Sequence, residues 1–149
     1  MYRRFAFEGE VHDTLALIPL VIRRKLDLTA TKLSLAGWQA LSREERLALC
    51  HLPVDTDADL AVYREVLAGF AQRAGAPLDA LHGPAPSPPD WSAPAVLARL
   101  RDKLGDAAPA EPAVAALGEE ERYALFKLAE PRRPLDRLQL ALAELGLGA

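Results

Sequence analysis

Few residues of this chain have the type and spacing that chemistry requires. The histidines are His12, His51 and His82, and the single cysteine is Cys50. A metal site needs such ligands close together along a helix or turn. No histidine has a His or Cys partner so placed, and no metal site is expected. His51 adjoins Cys50, but neighbours on a helix point about 100° apart. Cys50 lies in the apolar run Leu47-Ala48-Leu49-Cys50-His51-Leu52 and reads as a buried structural thiol. Gly146-Leu147-Gly148 is a chain end and not a phosphate loop. Glu119-Glu120-Glu121 is a charge run in the first turn of a helix, where the dipole favours negative charge. No catalytic residue is expected.

The segment Arg23-Arg24-Lys25, with Asp27 and Lys32 after it, is the richest in charge. It lies between the apolar triplet Leu20-Val21-Ile22 and the run Leu26-Asp27-Leu28. Three consecutive cations on a short helix cannot all face away from a core. At least one should pair with a carboxylate or point into a partner. Two readings follow. Arg23 or Lys25 forms a structural ion pair with an acid of a capped helix, or Arg23, Lys25, Asp27 and Lys32 form a surface for a partner or an anion. Arg46 and Arg122 each follow acidic residues, Glu45 and Glu121, and read as members of structural ion pairs.

The elements that would position these residues are helices. Ala and Leu are abundant, Arg outnumbers Lys, and β-branched and aromatic residues are few, a mix that favours helix. Pro19 suits the start of a helix running to about Asp27. Ser34 can cap a short helix from Leu35 to Leu41. Ser42-Arg43-Glu44-Glu45 fits a capping box, opening a helix that must stop before Pro53. Thr56-Asp57-Ala58-Asp59 opens a long helix whose apolar stripe is Leu60, Tyr63, Leu67, Phe70 and Ala74, with Gly75 as the stop. Further helices are expected from Pro94 to Leu104, from about Glu119 to Glu130, and from Pro134 with the stripe Leu135, Leu138, Leu142 and Leu145. Residues 75–93 are dense in proline and read as an extended connector, with Trp91 pinning it to the body. Apart from an extended piece at Phe5 to Phe7, no period-two alternation stands out. The class is all-α.

The chain resembles itself at an offset of 76 residues. Residues 40–52 align without a gap on residues 116–128, and both copies end near a proline, Pro53 and Pro131. Ala40/Ala116, Leu41/Leu117, Glu44/Glu120, Glu45/Glu121, Arg46/Arg122, Leu49/Leu125 and Leu52/Leu128 are identical pairs. The expected architecture is one domain over residues 1–149, built from two related helix-loop-helix units, about 18–53 and 94–131, with the long helix between or across them.

The 149 residues carry 18 basic and 21 acidic side chains, for a net charge of −3. That balance argues against nucleic-acid binding by counterion release, and the acidic starts of the capped helices argue against a DNA-reading helix-turn-helix. With 50% hydrophobic and 26% charged residues the chain is expected to fold, not to remain disordered. The apolar stretch from Leu15 to Ile22 is short, interrupted by Pro19 and followed by Arg23-Arg24-Lys25, so neither a signal peptide nor a membrane span is expected. A reduced, cytoplasmic protein fits the lone cysteine. Apolar stripes left over on the last helix could form a homodimer.

Together, Phe5-Ala6-Phe7-Glu8, Ile18-Pro19, Arg23, Lys25-Leu26-Asp27, Lys32-Leu33, Leu35, Trp38, Leu41, Glu45-Arg46, Leu49, Leu52-Pro53, Tyr63 and Leu67 resemble the first part of the conserved nitrate reductase-associated proteins of cyanobacteria and proteobacteria. Arg122-Tyr123-Ala124-Leu125, Lys127-Leu128 and Pro131 resemble their C-terminal signature. The second copy departs from the first, with Ala108, Pro109 and Glu111 where the first has Lys32, Leu33 and Leu35. The resemblance implies an accessory factor in maturation or assembly of a molybdenum-cofactor enzyme. It would act without catalysis, with nitrate reductase as its partner. Two alternatives stay open. One is a carrier whose Arg23, Lys25 or Lys32 holds an anion such as the phosphate of the molybdenum cofactor. The other is an enzyme of another kind.

Overall fold

The computed structural model describes residues 3–75, 79–80 and 89–148. About 66% of the described residues are helical, so the all-α class holds. It forms two compact units, one of residues 1–4 and 8–89, the other of residues 5–7 and 90–149. The proline-rich connector contains their boundary; most of it, including His82, lies outside the described residues.

Unit 1 begins with a short helix, α1 (Val11–Thr14), that the sequence does not announce. It ends at Leu15 in the left-handed region, φ 55°. Helix α2 (Leu20–Leu28) starts behind Pro19, whose ring sets the backbone for a first turn. It has no side-chain cap of its own. Glu8 instead reaches in from 12 residues earlier, and its carboxylate accepts the Leu20 N–H at 3.0 Å. Helix α2 closes on Ala30, also left-handed at φ 52°. Helix α3 (Leu35–Ala40) is capped by the Ser34 hydroxyl, which accepts the Gly37 N–H. Helix α4 (Arg43–His51) has the full capping box of Ser42 and Glu45. Helix α5 (Asp57–Arg73) has a second one, of Thr56 and Asp59. Each box satisfies two of the four N–H groups that a helix start leaves open.

Helix α4 packs against both α2 and α5. The core between them holds Leu15, Val21, Ile22, Leu26, Trp38, Leu41, Leu49, Cys50, Val54, Tyr63 and Leu67. The long helix α5 belongs wholly to this unit. One feature departs from a purely helical reading: β1 (Thr31–Lys32) pairs antiparallel with β2 (Asp79–Ala80), Thr31 opposite Ala80. Two residues are too few to show alternation in a sequence.

Unit 2 contains α6 (Ala93–Leu104), α7 (Glu111–Ala115), α8 (Glu119–Leu128) and α9 (Leu135–Glu144). Helix α6 packs on α7 and α8, and α8 on α9. Just before α6 the Asp90 carboxylate accepts the Ser92 N–H at 2.8 Å. That bond, together with the Ser92 hydroxyl, holds the Asp90 carboxyl below the usual carboxylate range. Trp91 is buried, with its ring edge-on to Tyr123 at 4.9 Å. At the start of α8, Gly118 stands where unit 1 has Ser42, so only half of a capping box can form. The Glu121 carboxylate accepts the Gly118 N–H at 2.9 Å, and no hydroxyl answers it. The expected stripe of α9 is buried at Leu138 and Leu142, while Leu135 is 42% exposed.

The N-terminal segment completes unit 2. Phe5 is buried and stacks on Phe7 at 5.2 Å. The Phe7 N–H donates to the Glu144 carboxylate at 2.9 Å, and Arg137 donates to the Phe7 carbonyl at 3.0 Å. Both partners lie on α9, and the segment they tie down is not the extended piece read from the sequence: Ala6–Glu8 form a 3-10 turn.

Candidate functional site

The basic segment runs along α2 and into β1. Its central residue, Lys25, is buried at 5% exposure. On α2 it lies one turn from Val21 and Ile22, on the face turned toward α4. Its ammonium donates to the carbonyls of Cys50 at 2.6 Å, Leu49 at 3.4 Å, and Leu52 at close range. These belong to the last turn and cap of α4, which Pro53 prevents from continuing. A helix end carries partial negative charge, and a buried ammonium is tolerated where carbonyl oxygens replace its water. Lys25 thus binds the end of α4 opposite to the acidic start at Glu44 and Glu45.

Tyr63 of α5 joins the same group. Its hydroxyl donates to the Leu49 carbonyl at 3.1 Å, and its ring centroid lies 5.8 Å from the Lys25 ammonium. Burial drives the phenol well above its ordinary range, and the neighbouring Cys50 adds to the rise. Tyr63 thus stays neutral and serves as a donor.

The other three residues of the expected surface are distributed differently. Arg23 and Asp27 are half-buried, and Lys32 is exposed on β1. Arg24, which was not singled out, is buried at 6% exposure. Arg23, Lys25, Asp27 and Lys32 do not make one continuous exposed patch, because Lys25 faces the core.

Arg46 is likewise committed to carbonyls. It donates to Trp38 at 3.0 Å, to Gln39 at 2.7 Å and to Leu15 at 3.4 Å. The Leu15 carbonyl also takes the Trp38 indole N–H at 2.6 Å, which holds the left-handed turn at Leu15 in place. Glu45 makes its ion pair with Arg73 at 3.3 Å. Of the two, Glu45 is thus the one in an ion pair, while the Arg46 guanidinium is taken up by backbone oxygens. In unit 2, Arg122 donates to the carbonyls of Leu117 at 2.6 Å and Trp91 at 3.4 Å, while Glu121 caps α8. Arg99 donates to the Phe126 carbonyl at 3.0 Å with its guanidinium 3.6 Å from the Phe126 ring centroid. Lys103 donates to the carbonyls of Glu130 and Arg133, both at 2.6 Å.

Sequence reasoning missed Tyr63, Arg99 and Lys103 as polar anchors, and read Tyr63 only as part of a core stripe. It also missed the buried pair of His12 and Glu8, 3.1 Å apart. The i,i+4 spacing of Glu8 and His12 was a usable signal. Cys50 is buried, and His51 is exposed. Among the described residues no group of three or more His, Cys, Asp or Glu side chains could hold a metal ion. No helix among them is long and apolar enough to cross a membrane.

Fold and site together define a helical protein whose inward-facing cations hold helix ends and turns through backbone carbonyls. The chain belongs to the conserved nitrate reductase-associated protein family, whose sequence model matches residues 4–145. No curated protein and no solved structure matches it.

Proposed function

We propose that this protein is a non-enzymatic accessory factor for nitrate reductase, acting by protein–protein contact in the cytoplasm during maturation or assembly of the enzyme. The observation that carries this reading is the family match across residues 4–145, since the family's name ties the chain to that reductase. The geometry is in keeping with it. The polar groups that a sequence reader would recruit for catalysis or anion binding, Lys25 above all, are engaged with the chain's own backbone. What remains available to a partner is surface.

The test is deletion of the gene, followed by assay of nitrate reductase activity and molybdenum content, with co-purification of the reductase on the tagged full-length protein. Reduced activity and capture of the reductase are expected. Normal activity on nitrate would remove the proposal.

A further inference from the structure

The turn between α8 and α9 concentrates positive charge. Lys103, Lys127, Arg132 and Arg133 stand on or against it, and Glu130 is its carboxylate. Lys127 and Arg133 both pair with Glu130, at 3.5 and 3.3 Å. Asp136, just beyond, accepts the backbone N–H of Arg137 at the start of α9. A helix end favours cations, and that explains Lys103, whose ammonium bonds the Glu130 and Arg133 carbonyls. It does not explain Arg132, which is exposed and makes no hydrogen bond or ion pair among the described residues.

The sequence of the turn, Pro131-Arg132-Arg133-Pro134, adds a second argument. Two prolines fix φ on either side of the arginines, so less backbone freedom is lost when a partner binds. Immediately after them Leu135 is 42% exposed on the first turn of α9. A guanidinium fork beside an exposed leucine suits a segment that offers carboxylates and one apolar side chain. It suits a nucleic acid less well, because Lys127 and Arg133 are already paired with Glu130, so few phosphates could be neutralised, and a sugar-phosphate backbone offers nothing to the exposed leucine.

We propose that the Pro131–Pro134 turn and Leu135 form a docking surface for an acidic segment of a protein partner. This rests on the accessory-factor reading and gives it a surface in unit 2, whereas the Arg23–Lys32 segment belongs to unit 1.

A fluorescein-labelled peptide, Glu-Glu-Leu-Glu-Glu, titrated with the full-length protein and followed by anisotropy, tests the surface. Arg132→Glu should weaken binding about tenfold with the fold unchanged by circular dichroism, because that side chain holds nothing in place. Leu135→Ser should weaken it about threefold, and Arg23→Ala should leave it unchanged. Raising salt from about 50 to about 200 mM should also weaken it. No binding by the unaltered protein, equal binding by Arg132→Glu, or equally tight binding of hexauridylate would overturn the proposal. Reductase co-purification separates the two claims. Capture undiminished by Arg132→Glu removes this surface alone, and peptide binding through the turn without any capture of the reductase removes the accessory reading alone.

Discussion

The ammonium of Lys25 lies 2.6 Å from the carbonyl oxygen of Cys50. Seventy-six residues on from Cys50, the Phe126 carbonyl takes the guanidinium of Arg99 at 3.0 Å. In each unit a cation from an earlier helix, α2 or α6, secures the last turn of a later one, α4 or α8. Replacing Lys25 by Met keeps most of the side-chain volume but leaves the last carbonyls of α4 without their donor. A loss of about 3 kcal/mol is expected, read from urea denaturation. If Lys25 were an exposed docking residue, the same substitution would change stability by well under about 1 kcal/mol.

Tyr63 should be silent in an alkaline titration of the folded protein. Its folded pKa lies above the ordinary value of 10.0. Its contribution to stability is therefore complete below that ordinary value and is lost as the pH climbs from there toward the folded pKa. Phenolate absorbance from Tyr63 should appear together with the loss of helical circular dichroism, not before it. Tyr63→Phe, which also gives up the bond to the Leu49 carbonyl, should cost about 1 kcal/mol at neutral pH.

Two helix ends can be improved. Ala30 sits at φ 52°, where a Cβ is strained and glycine is not. Ala30→Gly should stabilise the protein by about 0.5–1 kcal/mol, as a rise of about 2–4 °C in Tm. Gly118 has the extended backbone of a helix cap, φ −70° and ψ 164°, and space for a side chain beside Glu121. Gly118→Ser should supply the missing hydroxyl and add a few tenths of a kcal/mol, about what Ser exceeds Gly at such positions.

The N-terminal anchor should matter to unit 2. Phe5→Ala removes a buried ring, for an expected loss of about 3 kcal/mol. Glu144→Gln keeps the shape but weakens the charge-assisted bond to the Phe7 N–H, for about 1 kcal/mol. Hydrogen exchange should show α9 opening more readily in both variants.

Much of the fold was legible because helix starts and stops are local chemistry. Ser42 with Glu45, Thr56 with Asp59, and Pro94 in its first turn each announce a boundary in a few residues. Short α1 announces nothing comparable and α7 only Pro112 in its first turn, and the register of Thr31 with Ala80 depends on residues 49 positions apart. The candidate site was read less well for a related reason. The sequence shows cations, but not the carbonyls that will face them. Lys25 and Lys32 look alike as letters; the first falls under the end of α4 and the second on an exposed strand. Carboxylates were the partners the sequence made visible, so ion pairs were expected at Arg46 and Arg122 where backbone oxygens are found.

The tie between Phe7 and Glu144 spans 137 residues. During synthesis the first of these leaves the ribosome long before the second exists. At about 5–20 residues per second the delay is roughly 7–27 s. Unit 1 contains none of residues 5–7 and can close in that interval, whereas unit 2 must wait for α9. Its aromatic N-terminal segment is therefore solvent-facing for most of translation, and a chain cut short before Glu144 would keep it so.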